Sequence, residues 1–166
     1  MQTSDKFLNS TEQVLAALCI TGFFTMFVLG VATVVFRFVI ESSLSFPEEL
    51  IRYLFIWVTA LGSAIAYRRN AHAAIGIVVG QLPDVLKRLV ILFATLASAL
   101  FFSILVYQGA LLTIRVMPQI SPALEVSMAW VYAAVPAGGF FLLIFAIELF
   151  FKQLQTPASE LETGGS

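Results

Sequence analysis

Four apolar stretches, each long enough to cross a lipid bilayer, constrain this chain more than any other feature. A helix needs about 20 apolar residues to cross the hydrocarbon core of a membrane. Three stretches of this length contain no charged residue: Val14–Phe36, Leu89–Ile114 and Val126–Ile147. The fourth is Leu50–Tyr67, in which a charged residue, Arg52, lies near the start. The pattern predicts an all-α integral membrane protein with four transmembrane helices, over about residues 14–37, 50–67, 89–114 and 126–149.

The composition excludes a water-soluble fold. Of the 166 residues, 60% are hydrophobic and only 11% are charged, whereas soluble domains carry about 25% charged residues. Membrane lipids therefore have to cover the surface. The net charge of −1 and the lack of a basic patch with interleaved aromatic residues exclude nucleic acid as a partner.

The residues that could carry chemistry are few. A metal site takes three or four ligands, and the chain has one cysteine, Cys19, and one distant histidine, His72. No serine, histidine and acid lie in a catalytic pattern, and no phosphate-binding loop occurs. We therefore expect a protein that is not an enzyme, without a metal, cofactor or substrate site of its own.

The second span is less hydrophobic than the first. Val14–Phe36 contains thirteen Val, Leu, Ile or Phe residues, which favour insertion by roughly 4 to 8 kcal/mol on the translocon scale. Leu50–Tyr67 contains eight, worth roughly 2 to 5 kcal/mol, against up to about 3 kcal/mol for a centrally placed Arg52. The second helix is therefore marginal by itself and needs a partner surface.

Four spans place both termini and the connection between the second and third spans on one side. Six of the nine basic residues lie on that side: Lys6, Arg68, Arg69, Lys87, Arg88 and Lys152. The positive-inside rule then places both termini in the cytoplasm. The predicted parts are a cytoplasmic N-terminal segment, a four-helix domain and a disordered cytoplasmic tail, over residues 1–13, 14–151 and 152–166.

The connections between the spans also contain residues that predict local structure. Residues 71–88 include an apolar run too short to span, which predicts a short interfacial segment between the second and third helices. Ser121 is predicted as the N-cap of the fourth helix and Pro122 as a residue of its first turn. Pro136, followed by two glycines, predicts a kink in that helix.

The charges around the second span have two interpretations. Glu48 and Glu49 lie four and three residues before Arg52, a spacing that places all three on one helix face. They could line a substrate path, because charges in a membrane often mark function. We favour an ion pair that anchors the helix end, within this chain or to a partner. Glu148 and Lys152 have the spacing of a similar end-anchoring pair.

Small residues offer a second kind of contact. Gly62 with Ala66, and Ala60 with Ala64, form faces that allow helices to approach closely.

The second span and its surroundings resemble the signature of the small membrane subunit of TRAP transporters, the tripartite ATP-independent periplasmic family (DctQ-like). The matching residues there are Glu49, Arg52, Tyr53, Trp57, Gly62, Arg68, His72, Leu82 and Pro83. A later segment is similar to the last helix of that family, with Ser121, Pro122, Leu124, Trp130, Tyr132, Pro136 and Gly138 in place. One departure is that Ala73-Ala74-Ile75-Gly76 follows the histidine, where the family has a segment like Ile-Gly-Val-Asp.

The resemblance implies a division of labour in the bacterial (or archaeal) cytoplasmic membrane. A large membrane subunit would carry the substrate and sodium sites and move as an elevator. A periplasmic binding protein would deliver the substrate, usually an organic acid, and the small subunit would brace the large one as a scaffold. We expect the following residues at the partner interface or at helix ends: Glu48, Glu49, Arg52, Tyr53, Trp57, Gly62, Ala66, Arg68, His72, Pro122, Trp130 and Pro136.

Two other functions remain as alternatives. A free-standing four-helix channel or carrier would need polar residues spaced along a pore. The polar residues available for such a pore are few: Thr21, Thr25, Thr33 and Gln108. An intramembrane redox or enzyme subunit is the weaker alternative, because it lacks ligands.

Overall fold

The computed structural model describes residues 2–39, 46–70 and 83–155 of the chain. In these ranges every regular element is a helix, and the helices are α1 Gln2–Val39, α2 Phe46–Asn70, α3 Asp84–Arg115, α4 Ala129–Tyr132 and α5 Ala134–Gln155. A helix satisfies its backbone hydrogen bonds internally, as hydrocarbon requires. Four stretches are long and apolar enough to cross a membrane: Leu8–Val39, Phe46–Arg69, Arg88–Arg115 and Ala129–Leu154. The predicted all-α membrane fold with four spans is confirmed.

The helices extend beyond the apolar spans. α1 begins at Gln2, where the sequence predicts a separate N-terminal segment. α3 begins at Asp84, inside the predicted interfacial segment, and α5 continues to Gln155, inside the predicted tail. Helical hydrogen bonding does not stop at the edge of the hydrocarbon, so polar residues prolong each helix. Residues 71–82 and 156–166, and with them His72, lie outside the described residues.

The helices pack in a row in which chain order is not preserved. α1 packs on α2, α2 packs on α5, and α5 packs on α3. The buried centre of the row takes residues from all four long helices, including Leu15, Leu61, Phe102 and Phe145. Tyr67 adds an edge-to-face contact with Phe102, at 5.2 Å between ring centroids. The row brings two distant segments of the chain, α2 and α5, into direct contact.

Small residues make the contact between α2 and α5 close, as the sequence predicts for one of its two small-residue faces. A Cβ atom at Gly138 would lie only 2.8 Å from the carbonyl oxygen of Ala60, and Ala64 is fully buried. The other face is divided. Gly62 faces α1, with the sulfur of Cys19 as its nearest neighbour, and Ala66 is exposed.

The last span is interrupted near its start, in the region where Pro136 predicts a kink. α4 ends at Tyr132 and α5 begins at Ala134. Proline has no backbone N–H, so Pro136 cannot bond the carbonyl oxygen four residues earlier, which belongs to Tyr132. The bonds on either side are present, from Ala133 N to Ala129 O and from Ala137 N to Ala133 O. The missing bond therefore coincides with the break.

The prediction that Ser121 and Pro122 start the last helix is wrong. These residues lie in the connection between α3 and α4, and the helix begins only at Ala129. The hydroxyl of Ser127, not that of Ser121, accepts the N–H of Ala129, at 3.2 Å. The serine–proline pair starts a tight turn instead, because proline suits the second position of a turn as well as the first turn of a helix.

Candidate functional site

The row of helices has a polar cluster at each end. One, the Arg68 cluster, consists of Arg68, Glu12, Glu148, Arg69, Lys152 and Asn9. The other, the Glu49 cluster, consists of Glu49, Tyr53, Ala123, Leu124 and Met128. Both clusters join helices that are far apart in the sequence, and both contain residues that the sequence marks as candidates.

Arg68, at the end of α2, connects three helices. Its Nε and Nη2 atoms donate to the two carboxylate oxygens of Glu148 on α5, at 3.0 and 3.1 Å. Its Nη1 donates to Glu12 on α1 and to the carbonyl oxygen of Leu8, and Nη2 donates to the side chain of Asn9 at 2.8 Å. The planar, five-donor guanidinium suits this geometry, since it binds one carboxylate with two parallel bonds and still has donors for a second.

Three charged side chains of the Arg68 cluster are shielded from solvent, and each charge in the cluster has a partner of opposite sign. The side chains of Arg68, Glu12 and Glu148 are only 12%, 17% and 7% exposed. Arg69 pairs with Glu12 at 2.7 Å, and Lys152 pairs with Glu148 at 2.5 Å, so the predicted Glu148–Lys152 pair is confirmed. The ring of Phe145 lies 5.3 Å from the Arg68 guanidinium, within reach of a cation–π contact. Because these charged groups are paired within the chain, the cluster is better suited to holding the helices together than to conducting ions.

The Glu49 cluster fastens the start of α2 to the α3–α4 connection. Glu49 is 8% exposed, and its Oε2 atom accepts the backbone N–H groups of Ala123 and Leu124 at 2.8 and 3.1 Å. The Tyr53 hydroxyl donates to the other carboxylate oxygen and lies 3.4 Å from the sulfur of Met128. Two adjacent N–H groups pointing at one carboxylate form the kind of concave anion site that tight turns provide.

The turn that supplies these N–H groups follows from the local sequence. Pro122 fixes its own φ near −65°. The turn closes when Glu125 N–H donates to the carbonyl oxygen of Ser121 at 3.2 Å, and Ser121 N–H donates back to Val126 O at 2.9 Å. Glu125 adopts a positive φ of 53°, which is uncommon for a residue other than glycine. The Glu49 carboxylate holds the turn in place from the side.

Glu49 and Arg52 do not form an ion pair. Glu49 points into the protein, whereas Glu48 and Arg52 are exposed, and neither of these two has an ion pair within the ranges that the structure describes. The predicted pair within this chain is therefore replaced by hydrogen bonds to backbone N–H groups. Helical spacing placed the three residues near one another but did not determine which of them faces the interior.

The remaining candidates are spread along the row. The Trp57 indole N–H donates to the carbonyl oxygen of Trp130 at 3.0 Å, which ties α2 to α4. Trp130 itself is 72% exposed, and Pro122 is also exposed. Within residues 2–39, 46–70 and 83–155, no group of three or more His, Cys, Asp or Glu residues could hold a metal ion.

A cavity of about 670 Å³ opens between the first turns of α2 and the α3–α4 connection. Its walls include the charged side chains of Glu48 and Arg52 and the apolar side chains of Ile56, Val131 and Val135. A second, shallower groove of about 400 Å³ runs between α1, α2 and Phe141 of α5, and its lining is almost entirely apolar.

Sequence reasoning missed two polar contacts. Glu12 lies in the predicted cytoplasmic N-terminal segment, outside the predicted spans. It nevertheless continues the inward face of α1 that carries Leu15 and Cys19, and this spacing could have indicated its contact. The second contact joins Thr95 of α3 to Gln153 of α5, at 2.8 Å, and both residues are buried. Gln153 also lies in a predicted tail, and no pattern in its surroundings marks it.

Residues 26–156 match a known family of membrane proteins, described as tripartite ATP-independent periplasmic transporters, DctQ component. The chain belongs to this DctQ family. It is thus a small permease subunit of a TRAP transporter and a multi-pass membrane protein, and its relatives are transporter subunits, not enzymes. The resemblance seen in the sequence is confirmed.

Individual DctQ relatives differ in length. A putative TRAP transporter small permease protein of Haemophilus influenzae is 35% identical over 50% of each chain. The C4-dicarboxylate TRAP transporter small permease protein DctQ of Rhodobacter capsulatus is 30% identical over 69% of this chain and 51% of its own. The sialic acid TRAP transporter permease protein SiaT of Haemophilus influenzae is 26% identical over 97% of this chain but only 24% of its own. The chain thus spans about half or less of the length of these three relatives.

Proposed function

We propose that this chain is the fixed, non-catalytic scaffold subunit of a sodium-coupled, binding-protein-dependent importer of small organic acids. It braces a large, elevator-type membrane subunit, and a periplasmic binding protein delivers the substrate. The substrate site and the sodium sites lie in the large subunit, so this chain holds no cofactor.

The match to SiaT carries the proposal. Nearly the whole of this chain, 97%, corresponds to only 24% of that permease. The unmatched three quarters of SiaT are where the translocating part of such a protein would lie. We infer that in SiaT the two parts share one polypeptide, and that a corresponding large membrane part packs on this chain.

The internal polar groups support a scaffold. No charged residue occurs in the apolar runs Val14–Phe36, Leu89–Ile114 and Val126–Ile147. The buried charges of the described residues lie in the two end clusters, where other groups of the same chain satisfy them. An anion crossing about 30 Å of hydrocarbon needs donors or cations near the midplane. In this chain the polar clusters instead hold the helices together at the two ends of the row.

The names of the relatives support an organic acid as the substrate of the complete system. Those names refer to sialic acid and to C4-dicarboxylates, and both are carboxylate anions at neutral pH. Because two different carboxylates occur among the relatives, we infer that the substrate is an organic acid, but the names do not indicate which one.

We also propose that the protein lies in the cytoplasmic membrane with the Arg68 cluster on the cytoplasmic side. The start of α1 and the end of α5 meet at that cluster, and Arg88 at the start of α3 reaches the carbonyl oxygen of Leu154 at 3.1 Å. Basic residues are enriched at this end of the chain, in agreement with the positive-inside rule. The Glu49 cluster then faces the periplasm.

Affinity purification from native membranes tests the scaffold role. The tagged full-length chain, extracted in a mild detergent, is expected to bring down a TRAP large permease subunit in near-stoichiometric amount, identified by mass spectrometry. Recovery of the chain alone, while that subunit remains in other fractions of the same extract, would contradict the proposal.

A further inference from the structure

Apart from Phe46, the first residue of α2, the exposed residues of this helix form one continuous stripe. They are Glu48, Arg52, Phe55, Thr59, Ser63, Ala66 and Arg69, and we refer to them as the α2 stripe. Steps of three and four residues keep a stripe on one face of a helix. From Glu48 to Arg69 it is about 31 Å long at roughly 1.5 Å per residue, which matches the hydrocarbon thickness of about 30 Å. The stripe therefore crosses the whole membrane.

The composition of the α2 stripe does not suit lipid. Between its charged ends only Phe55 is large and apolar, and the three positions that follow are threonine, serine and alanine. The exposed surfaces of α1 and α3 are very different, with large side chains such as Phe23, Phe27, Phe93 and Leu100. Small and weakly polar residues are typical of contacts between transmembrane helices, because they let two backbones approach closely.

Arg52, at the Glu49 end of the stripe, has no ion pair within the described part of the chain. It is exposed and lies in the second turn of α2. An arginine at the edge of the hydrocarbon is favourable when a carboxylate accompanies it. Glu48 lies one turn earlier on the same stripe but forms no ion pair with Arg52 in the described structure, and Glu49 accepts the N–H groups of Ala123 and Leu124 instead. We infer that a carboxylate of another chain supplies the complementary charge.

The cavity beside the stripe provides a place for a partner side chain. Glu48 and Arg52 form part of both the stripe and the wall of the 670 Å³ cavity, while Ile56, Val131 and Val135 give it an apolar lining. Binding energy at interfaces concentrates where a side chain fills such a pocket next to a complementary charge. The stripe and the cavity thus form one surface.

We propose that the α2 stripe and this cavity dock a transmembrane helix of the large subunit, with a carboxylate of that subunit bound to Arg52. The inference rests on the scaffold function proposed above. It specifies which exposed face of the row of helices contacts the large subunit. This contact accounts for the marginal hydrophobicity of α2, because the helix then faces protein on every side in the assembled complex.

Photo-crosslinking in the assembled complex tests the position of the joint. A photoreactive amino acid at Thr59 is expected to give an adduct with the large subunit, identified by mass spectrometry. The same amino acid at Ser103 of α3, another exposed position in the middle of a helix, is expected to give none. An adduct at Ser103 and none at Thr59 would overturn the proposal.

Two matched pairs of substitutions test the contact itself. Ser63 and Ser103 are exposed serines whose hydroxyls each bond a carbonyl of their own helix at 2.8 Å. Ser63→Trp is expected to lower the yield of captured large subunit about tenfold or more, and Ser103→Trp to leave it unchanged. Arg52→Glu is expected to have the same effect, with Arg115→Glu, an exposed arginine at the same end of the row, as its control.

Gel filtration of each isolated variant separates misfolding from lost docking, since all four positions are exposed and the variants should remain monodisperse. Normal capture by both Ser63→Trp and Arg52→Glu would overturn the docking surface while leaving the scaffold role intact. Failure of the unmodified chain to capture a large subunit would instead remove the scaffold role, and the docking surface with it.

Discussion

Arg68 and Glu148 lie 80 positions apart in the sequence and form a two-bond ion pair, at 3.0 and 3.1 Å, between α2 and α5. Glu12 on α1 binds the same guanidinium, so one side chain fixes the relative positions of three helices. Apolar packing alone gives little orientation in a membrane, because lipid is as apolar as a helix surface. The Arg68 cluster at one end and the Glu49 cluster at the other supply that orientation.

The first prediction concerns Arg68. Arg68→Gln leaves Glu12 and Glu148 without their principal partner in a shielded site, and we expect a loss of about 3–5 kcal/mol in folding free energy. Arg69→Gln is the matched control, because Arg69 is 63% exposed and such a pair contributes about 0–1 kcal/mol. Thermal unfolding of the purified variants in detergent measures both. Equal, small losses would show that the cluster is an ordinary surface network.

The second prediction concerns the acid that holds the α3–α4 connection. Glu49→Gln removes the charge that accepts the N–H groups of Ala123 and Leu124, and hydrogen bonds to a charged group contribute about 1.5–3 kcal/mol. Hydrogen exchange at these two amides should accelerate, whereas Glu48→Gln should leave it unchanged because Glu48 is exposed. Unchanged protection in both variants would indicate that the turn is stable without Glu49.

The third prediction concerns the closest approach of two helices. In Gly138→Ala the added Cβ would lie 2.8 Å from the backbone oxygen of Ala60, so α2 and α5 have to separate, at a cost of about 1–3 kcal/mol. Gly30→Ala is the control, since a Cβ there would meet nothing within 4 Å. The unfolding temperature in detergent should fall for the first variant only, and the reverse order would contradict the observed packing.

The fourth prediction concerns orientation in the membrane. In a Cys19→Ala background, a single cysteine replaces Ser45 or Asn70, and intact cells are treated with a membrane-impermeant maleimide. The six-to-three distribution of basic residues predicts labelling at position 45 and protection at position 70. Labelling at position 70 with protection at position 45 would invert the topology.

The sequence was sufficient for the four spans, because long uncharged apolar runs have few alternatives to membrane helices. It also predicted the Glu148–Lys152 pair and the irregularity near Pro136, since both depend on residues within about one helical turn. The close contact of Ala60 with Gly138 was predicted only as a small-residue face. A single helix cannot reveal which partner such a face meets.

The errors have a common physical cause. The sequence predicted an ion pair at this helix end, within this chain or to a partner, but the partners of Glu49 are backbone N–H groups of Ala123 and Leu124, more than 70 residues away. Glu12 was assigned to the cytoplasmic N-terminal segment, and its contact with Arg68 on another helix was not predicted. Bonds between helices depend on packing order, here α1–α2–α5–α3, and no local pattern encodes that order.

The most direct test of the scaffold role is transport by purified components in liposomes under an inward sodium gradient. We predict that this chain alone shows no saturable uptake of an organic acid, and that the large subunit with the binding protein transports only when this chain is present. An empty vesicle and a vesicle containing the Ser63→Trp chain serve as controls. Saturable, sodium-dependent uptake by this chain alone would contradict the scaffold role, as would undiminished uptake by the system that lacks it.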